Sequence, residues 1–337
     1  MEDMSGPPSV SRDLESYLRM LLPHRASLRS VVIPVILEAI SEIDVALQSS
    51  LHVTLAGTAN SFGDDQLNVD VVAENIVRAA LNRYPSAFRT ASSEEDPVER
   101  SIISGASATE VTAEKYTVAF DPLDGSSIIK PNWSVGSIFG IWEGESALSK
   151  SPEKNQIAAV LGVYGPRTTA FVALQVPGAP VESVCFELGL PMRDQWQIIR
   201  PVVKLDEGPF KTRYFAPANL RSAADDQLYM NLVSFYIKEK YTLRYSGGLV
   251  PDVAHALTKG HGIYLSPATG ASTAKLRRLY ELVPVALVVE CAGGKAIEPL
   301  TGKRILETPI RDCDERGALV CGTAEEVELA QRAFAPR

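Results

Sequence analysis

The sequence predicts an α/β protein built on a large mixed or antiparallel sheet flanked by helices. Three observations carry this reading. Apolar, β-former-rich runs at 116–120, 158–164, 168–176, 181–186 and 196–199 follow one another through the middle of the chain, with a hairpin signal at Gly165-Pro166-Arg167. Apolar residues recur at helical spacing on both sides of these runs, at 11–22 and about 30–47 before them and at 225–240 and 324–334 after them. The 337 residues are 45% hydrophobic and 22% charged, an ordinary balance for one large or two moderate soluble domains.

Residues 1–10 are polar, contain Pro7 and Pro8, and are expected to be disordered. In the next helical pattern Val32, Val35, Ile36, Ile40, Ile43 and Leu47 share a face, so Pro34 must sit in the first turn or kink the helix. Residues 59–70, ANSFGDDQLNVD, open a helix over 69–84 with Asn68 as its N-cap, and Asp64, Asp65 and Asp70 suit the positive end of its dipole. Residues 91–97, ASSEEDP, taken alone, read as a solvated acidic loop, with Glu94 and Glu95 pointing to different sides at a strand end. The polar stretch 98–113 suits a mobile loop over a cleft. A polar break at 204–211 with Gly208 and Pro209 marks a boundary, giving a tail at 1–10, an N-terminal domain at 11–205 and a C-terminal domain at 206–337. In the second domain Gly247 and Gly248 allow close backbone approach before a helix that Pro251 can start. Residues 275–281, KLRRLYE, taken alone, read as a solvated helical face, and 284–292 as a helix capped by Gly293-Gly294.

The chemistry concentrates at 121–127, DPLDGSS, directly after the strand at 116–120. Pro122 and Gly125 favour a tight turn that faces Asp121 and Asp124 into one small volume, where two carboxylates repel unless a cation lies between them. Hard oxygen ligands at a strand end suit Mg²⁺ or Mn²⁺. The amides of Gly125, Ser126 and Ser127, with two hydroxyls, offer an anion cradle beside it. The plain alternative is an acidic surface turn. A covalent aspartate of the Asp-x-Asp kind is disfavoured, because two residues separate the aspartates.

A net charge of −8 gives no electrostatic support for nucleic-acid or anionic-membrane binding, and an anionic substrate would need local Lys and Arg or a metal. Cys185, Cys291, Cys313 and Cys321 show no zinc spacing and read as reduced thiols, while no Ser-His-Asp arrangement stands out. No apolar run reaches membrane-spanning length and no basic-plus-apolar leader precedes the first helix. Cytoplasm is the default expectation, or plastid where a transit segment has been removed.

DPLDGSS followed by SVGSIFGIW at 134–142 resembles the metal-dependent sugar bisphosphatases, the family of fructose-1,6-bisphosphatase and sedoheptulose-1,7-bisphosphatase, and SEED at 93–96 matches a further block. The resemblance implies a layered α/β/α/β/α fold with two mixed sheets and a homodimer or homotetramer. It implies two or three Mg²⁺ (or Mn²⁺) per subunit on Glu94, Asp121, the Leu123 carbonyl, Asp124 and Glu281, with Asp70, Glu95 and Asp64 serving the attacking water and Asn60 lining the cleft. It places Gly125, Ser126 and Ser127 at the scissile phosphate, and Asn219, Arg244, Tyr245, Gly247, Gly248 and Lys275 around the sugar and its far phosphate. Arg244 is expected to reach across a subunit seam. GGLVPDV at 247–253 is closer to the sedoheptulose enzymes; Gly248 replaces a serine and leaves room for a longer sugar, and Ser222 and Ser266 stand where fructose enzymes carry phosphate-binding tyrosines. The implied reaction is hydrolysis of the 1-phosphate of sedoheptulose-1,7-bisphosphate, with a fructose-1,6-bisphosphatase or dual-specificity enzyme as the alternative and an inactive sugar-phosphate-binding regulator as the alternative of another class. Arg25 to Leu28 and Glu143 depart from the family's AMP site, and the redox cysteines of plastid enzymes are missing near Leu55, so neither control is expected.

Overall fold

The apolar residues sort into three cores separated by two sheets, and the sorting follows from the two-residue period of each strand. The structure, a computed structural model, describes residues 11–59, 65–102, 114–193, 195–270 and 272–334. The expected tail at 1–10 lies outside them.

Helix α1 (Arg12–Leu21) starts at Ser11, whose side chain accepts from the Leu14 amide. Helix α2 (Ile33–Ser49) is entered through a π-turn, Leu28–Val32, in which the Ile33 amide donates to the Leu28 carbonyl five residues back. The next residue, Pro34, has no N–H to restore the four-residue spacing, so the turn stays wide. Strands β1 (Leu55–Ala59) and β2 (Asp65–Leu67) pair with each other ahead of α3 (Asn68–Asn82). Asn68 is not the N-cap that its sequence context predicts. It is the first helical residue, and its carboxamide accepts from the Thr54 amide and donates to the His52 carbonyl. Asp70 takes over the capping role by accepting from the Leu67 amide at 2.9 Å.

Strands β3 (Phe88–Ser93), β4 (Arg100–Ser101), β5 (Tyr116–Asp124), β6 (Val135–Glu143), β7 (Gln156–Tyr164), β8 (Thr169–Gln175), β9 (Ser183–Gly189) and β10 (Gln197–Arg200) form an eight-stranded sheet in the order β10-β9-β8-β7-β6-β5-β3-β4. The β3–β5 pair is parallel and the rest are antiparallel. Single-turn helices α4 (Ser126–Ile129) and α5 (Pro152–Asn155) interrupt the run. There follow β11 (Tyr214–Pro217), α6 (Gln227–Lys238), β12 (Thr242–Leu243), α7 (Leu249–Lys259), β13 (Ile263–Ser266), β14 (Leu276–Arg277), α8 (Val283–Cys291), β15 (Lys295–Ile297), β16 (Arg316–Gly317), β17 (Leu319–Gly322) and α9 (Ala324–Phe334). The second sheet runs β12-β11-β13-β17-β15, parallel about β11 and antiparallel about β17.

Along β5 and β6, Val118, Phe120, Phe139 and Ile141 face α1 to α3, while Ala119, Ile138 and Trp142 face α7 and α8. Ala216, Tyr264 and Cys321 of the second sheet close that middle core, and Phe215, Ile263, Leu265 and Val320 on its far side are covered by α6 and α9. The layer order is therefore helix, sheet, helix, sheet, helix, as the resemblance implies.

Candidate metal centre and substrate site

β5 does not turn at Pro122. It continues to Asp124 while its register with β6 slips, Asp121 lying opposite Ile138 and Asp124 opposite Gly136, so that Pro122 and Leu123 face the single residue Ser137. In an unbroken strand positions 121 and 124 would point to opposite faces; the added residue turns both carboxylates to one side. Ser137 Oγ donates to the Pro122 carbonyl at 2.7 Å, and the Leu123 amide donates to Asp121 at 3.0 Å. The chain leaves the strand only at Gly125, whose φ of +100° favours glycine.

The third carboxylate comes from the other end of the sequence. Glu281 lies in a π-turn, Arg278–Leu282, closed by the Val283 amide on the Arg278 carbonyl and followed by Pro284, the same device that opens α2. One carboxylate oxygen from each of Asp121, Asp124 and Glu281 falls within 4.8 Å of the others, and all three residues are buried. Burial, and next the charge of Glu94, holds Asp121 and Glu281 well above the usual carboxylate range. Burial also pushes Asp124 up, to about 7, although the Val250 and Leu249 amides oppose it. Those amides donate to Asp124 at 2.7 and 3.2 Å, so Asp124 caps α7 as well. The close approach requires Gly136, since a Cβ there would lie 2.4 Å from Val250 Cγ1.

Glu94 and Glu95 diverge. Glu94 accepts from Arg277 Nε at 3.2 Å, and Arg277 Nη1 donates to Asp314 at 2.5 Å while its backbone amide donates to Glu281 at 2.5 Å. Arg277 is 1% exposed and lies in β14, so the basic run is not the solvated helical face that its composition predicts. It is the site residue that sequence reasoning missed, because nothing in KLRRLYE distinguishes one buried arginine from its solvated neighbours. Glu95 accepts from Gln66 and lines a cavity of about 450 Å³ with Gln66, Glu74 and Asp96. Burial, then the charges of Asp70, Glu94 and Glu74, raises its carboxyl to about 7 against the Gln66 bond. Burial raises Asp70 to about 6 while it accepts from Ser126 Oγ at 3.2 Å. Ser126 Oγ also lies 3.3 Å from the Leu123 carbonyl, and Ser127 is exposed. Asn60, Asp64 and the 103–113 part of the expected cleft loop lie outside the described residues.

Arg244 and Tyr245 are exposed, the guanidinium 5.8 Å from the Tyr214 ring centroid. They line a cavity of about 810 Å³ with Asp44, Trp133, Asp252 and His255, a space that none of the three clustered carboxylates borders. Burial and then the charge of Asp252 push the Tyr245 phenol up, and Arg221 pulls it down. Gly247 has φ +104°, and the Ser246 and Gly247 amides donate to Asp252 at 2.7 and 3.3 Å. Gly248 does not leave open room for a longer sugar. A Cβ there would lie 3.0 Å from Pro251 Cδ and 3.2 Å from Ile128 Cδ1, so the chain itself fills the space. The Asn219 carboxamide donates to the Pro267 carbonyl at 2.8 Å and accepts from Ser272 at 2.9 Å, which makes it a brace between loops. Lys275 is exposed, two residues ahead of Arg277. At the departed AMP position, Arg25 pairs with Glu143.

The centre fits a hard divalent cation. Its donors are all oxygen, its three carboxylates are buried against one another, and the nearby guanidinium of Arg277 is engaged by Glu94 and Asp314. Fold and site together define a layered α/β protein with an acidic centre able to hold metal ions. The family models described as "Fructose-1-6-bisphosphatase, N-terminal domain" and "Fructose-1-6-bisphosphatase, C-terminal domain" match residues 24–188 and 209–335. A chloroplastic sedoheptulose-1,7-bisphosphatase of Chlamydomonas reinhardtii is 40% identical over 81% of this chain and 65% of its own length. A class 1 fructose-1,6-bisphosphatase of Syntrophotalea carbinolica is 34% identical over 82% of this chain and 80% of its own. The crystal structure of a provisionally named sedoheptulose-1,7 bisphosphatase from Toxoplasma gondii superposes with a TM-score of 0.83 at 35% identity, covering 95% of this chain and 98% of that one. The chain belongs to the fructose-1,6-bisphosphatase family. It spans about two thirds of the length of the chloroplastic relatives, 64% and 65% for those of Spinacia oleracea and Chlamydomonas reinhardtii.

Proposed function

We propose that this protein is a Mg²⁺-dependent phosphatase that removes the 1-phosphate of a ketose bisphosphate, with sedoheptulose-1,7-bisphosphate preferred over fructose-1,6-bisphosphate. The observation that carries the reading is the convergence of buried oxygens from Asp121, Asp124 and Glu281, residues far apart in sequence, within 4.8 Å. Divalent cations there, two or three of them, would supply positive charge against the phosphoryl oxygens and favour ionisation of water near neutral pH. Asp70 and Glu95, raised to about 6 and 7, are poised to take the proton of the attacking water. Water oxygen bonds to phosphorus, the bond to the sugar oxygen breaks, and the alkoxide takes up a proton to leave ketose phosphate and inorganic phosphate. The Gly125, Ser126 and Ser127 turn seats the scissile phosphate, and Arg244, Tyr245 and Lys275 hold the far one, with Asn219 positioning their loops.

The preference for the longer ketose is supported by the 38–40% identity to sedoheptulose enzymes and by Ser222, which is buried and donates to the Asn219 carbonyl. A dual-specificity enzyme is the second reading, favoured by the 34% identity to class 1 fructose bisphosphatases. The exposure of Arg244 supports a homodimer or homotetramer in which it reaches across the seam. The test is phosphate release from both bisphosphates at matched Mg²⁺, with and without EDTA. A higher kcat/KM on fructose-1,6-bisphosphate overturns the preference; no release from either in Mg²⁺ overturns the enzyme and leaves a sugar-phosphate-binding regulator.

A further inference from the structure

Three parallel strands, β12, β11 and β13, end at one edge of the second sheet. The loops leaving them carry Arg244 and Tyr245, Asn219 to Ser222, and Pro267 to Gly270 with Ser272 to Lys275 respectively. Carboxyl ends of parallel strands are where open α/β sheets receive ligands, because the loops there converge and strand-end backbone groups are free. Here the loops are tied together: the Arg244 amide donates to the Phe215 carbonyl at 3.0 Å, and Asn219 bridges to Pro267 and Ser272. Asn219 is left-handed, with φ 49°, and begins a 3₁₀ turn, Leu220–Ala224. Within that turn Ser222 is fully buried, its hydroxyl engaged with the Asn219 carbonyl at 2.8 Å, so it presents nothing to a ligand.

Its neighbour Arg221 is exposed, and among the described residues it has no carboxylate within ion-pair distance. Tyr229, under the turn, donates to the Ala218 carbonyl at 2.9 Å, and its phenol is raised by burial and by Tyr245. The Tyr245 phenol is raised by burial and drawn back by the charge of Arg221, in keeping with the strand-end hydrogen bonds that hold the two loops side by side.

We propose that Arg221 is a further substrate-binding residue, which closes its guanidinium on the phosphate remote from the scissile bond. This rests on the bisphosphatase reading above. A guanidinium binds phosphate through paired N–H donors and sits on a long flexible stem, so it can serve a far phosphate that a short serine hydroxyl cannot reach. It supplies the charge that Asn219, already committed to Pro267 and Ser272, does not.

The test compares wild type with Arg221→Ala and Arg221→Lys, all confirmed folded by equal Tm, on a ketose bisphosphate and on a ketose 1-phosphate lacking the far phosphate. The expected result is a kcat/KM loss for Arg221→Ala on the bisphosphate that exceeds its loss on the 1-phosphate by about 10- to 100-fold, the span of one charged hydrogen bond, carried mainly by KM and partly recovered in Arg221→Lys. Equal losses on the two substrates, or none, overturn the proposal. If wild type hydrolyses neither substrate, the enzyme reading has failed, and calorimetric titration with ketose 7-phosphate decides this inference by itself. Binding weakened by Arg221→Ala sustains it; equal binding, or none to wild type, overturns it.

Discussion

Asp124 Oδ2 accepts from the Val250 amide at 2.7 Å, joining the last residue of β5 to the first turn of α7 across 126 positions of sequence. One carboxylate thus belongs to the acidic centre and to a helix terminus at once. Asp124→Asn can still accept from one of the two amides but sets an N–H₂ against the other. The variant is expected to lose about 2 kcal/mol of stability and most of its phosphate release, read by calorimetry and a phosphate assay. Glu281→Gln, which removes charge from the same cluster without touching α7, is expected to lose activity yet raise the Tm of the metal-free protein.

Stability should depend on pH in a direction set by the raised carboxyls. Asp70, Asp124 and Glu95 stand at about 6, 7 and 7, above their ordinary range near 4. A folded-state pKa above the unfolded one favours folding fully below about pH 4, and that contribution drains away as pH rises through about 6 to 7. In EDTA the Tm contribution of these groups therefore falls across this window. Millimolar Mg²⁺ should raise Tm by an amount that grows over the same interval; a gain independent of pH would count against the carboxylates as its source.

Arg277→Met leaves Glu94 and Asp314 without their shared cation. Both acids are partly solvated, so the cost is about 2–4 kcal/mol, at or below the range for breaking a fully buried pair. Mn²⁺ titrations followed by electron paramagnetic resonance should also show weaker binding. Lysine at 277 should recover less than half of either effect, because a single ammonium cannot reproduce the Nε and Nη1 contacts.

Gly247→Ala forces an L-residue into φ +104° and sets its Cβ 3.1 Å from Ile128 Cγ2. A loss of about 1–2 kcal/mol is expected by denaturant unfolding. Gly248→Ser should also destabilise, by crowding Pro251 and Ile128, and Ile128→Val should relieve part of that second loss but little of the first.

Much of this was legible because it is local. Periodicity located α1, α2 and β7 to β9, and the strand leading into Asp121 followed from a short apolar run rich in β-forming residues. What sequence could not show depends on distant backbone. The slip opposite Ser137 converts an expected turn at Pro122 into continued strand, and Asn68 loses its cap role because Thr54 and His52 occupy its side chain. Gly248 reads as vacant space until Pro251 and Ile128 are seen to fill it. Arg277 looks like a solvated charge until Glu94 and Asp314, 183 and 37 residues away, close on it. The acidic blocks themselves were visible; their meeting at one point was implied by resemblance, not by spacing.

The π-turn that carries Glu281 ends against Pro284, and Pro284 Cγ would lie 3.0 Å from a methyl at position 140 on β6. Enlarging Gly140 would therefore press on the hinge that aims Glu281. A substitution with no ligand in reach would then surface as an altered magnesium requirement, and suppressors of a weak-metal phenotype are to be sought along this strand.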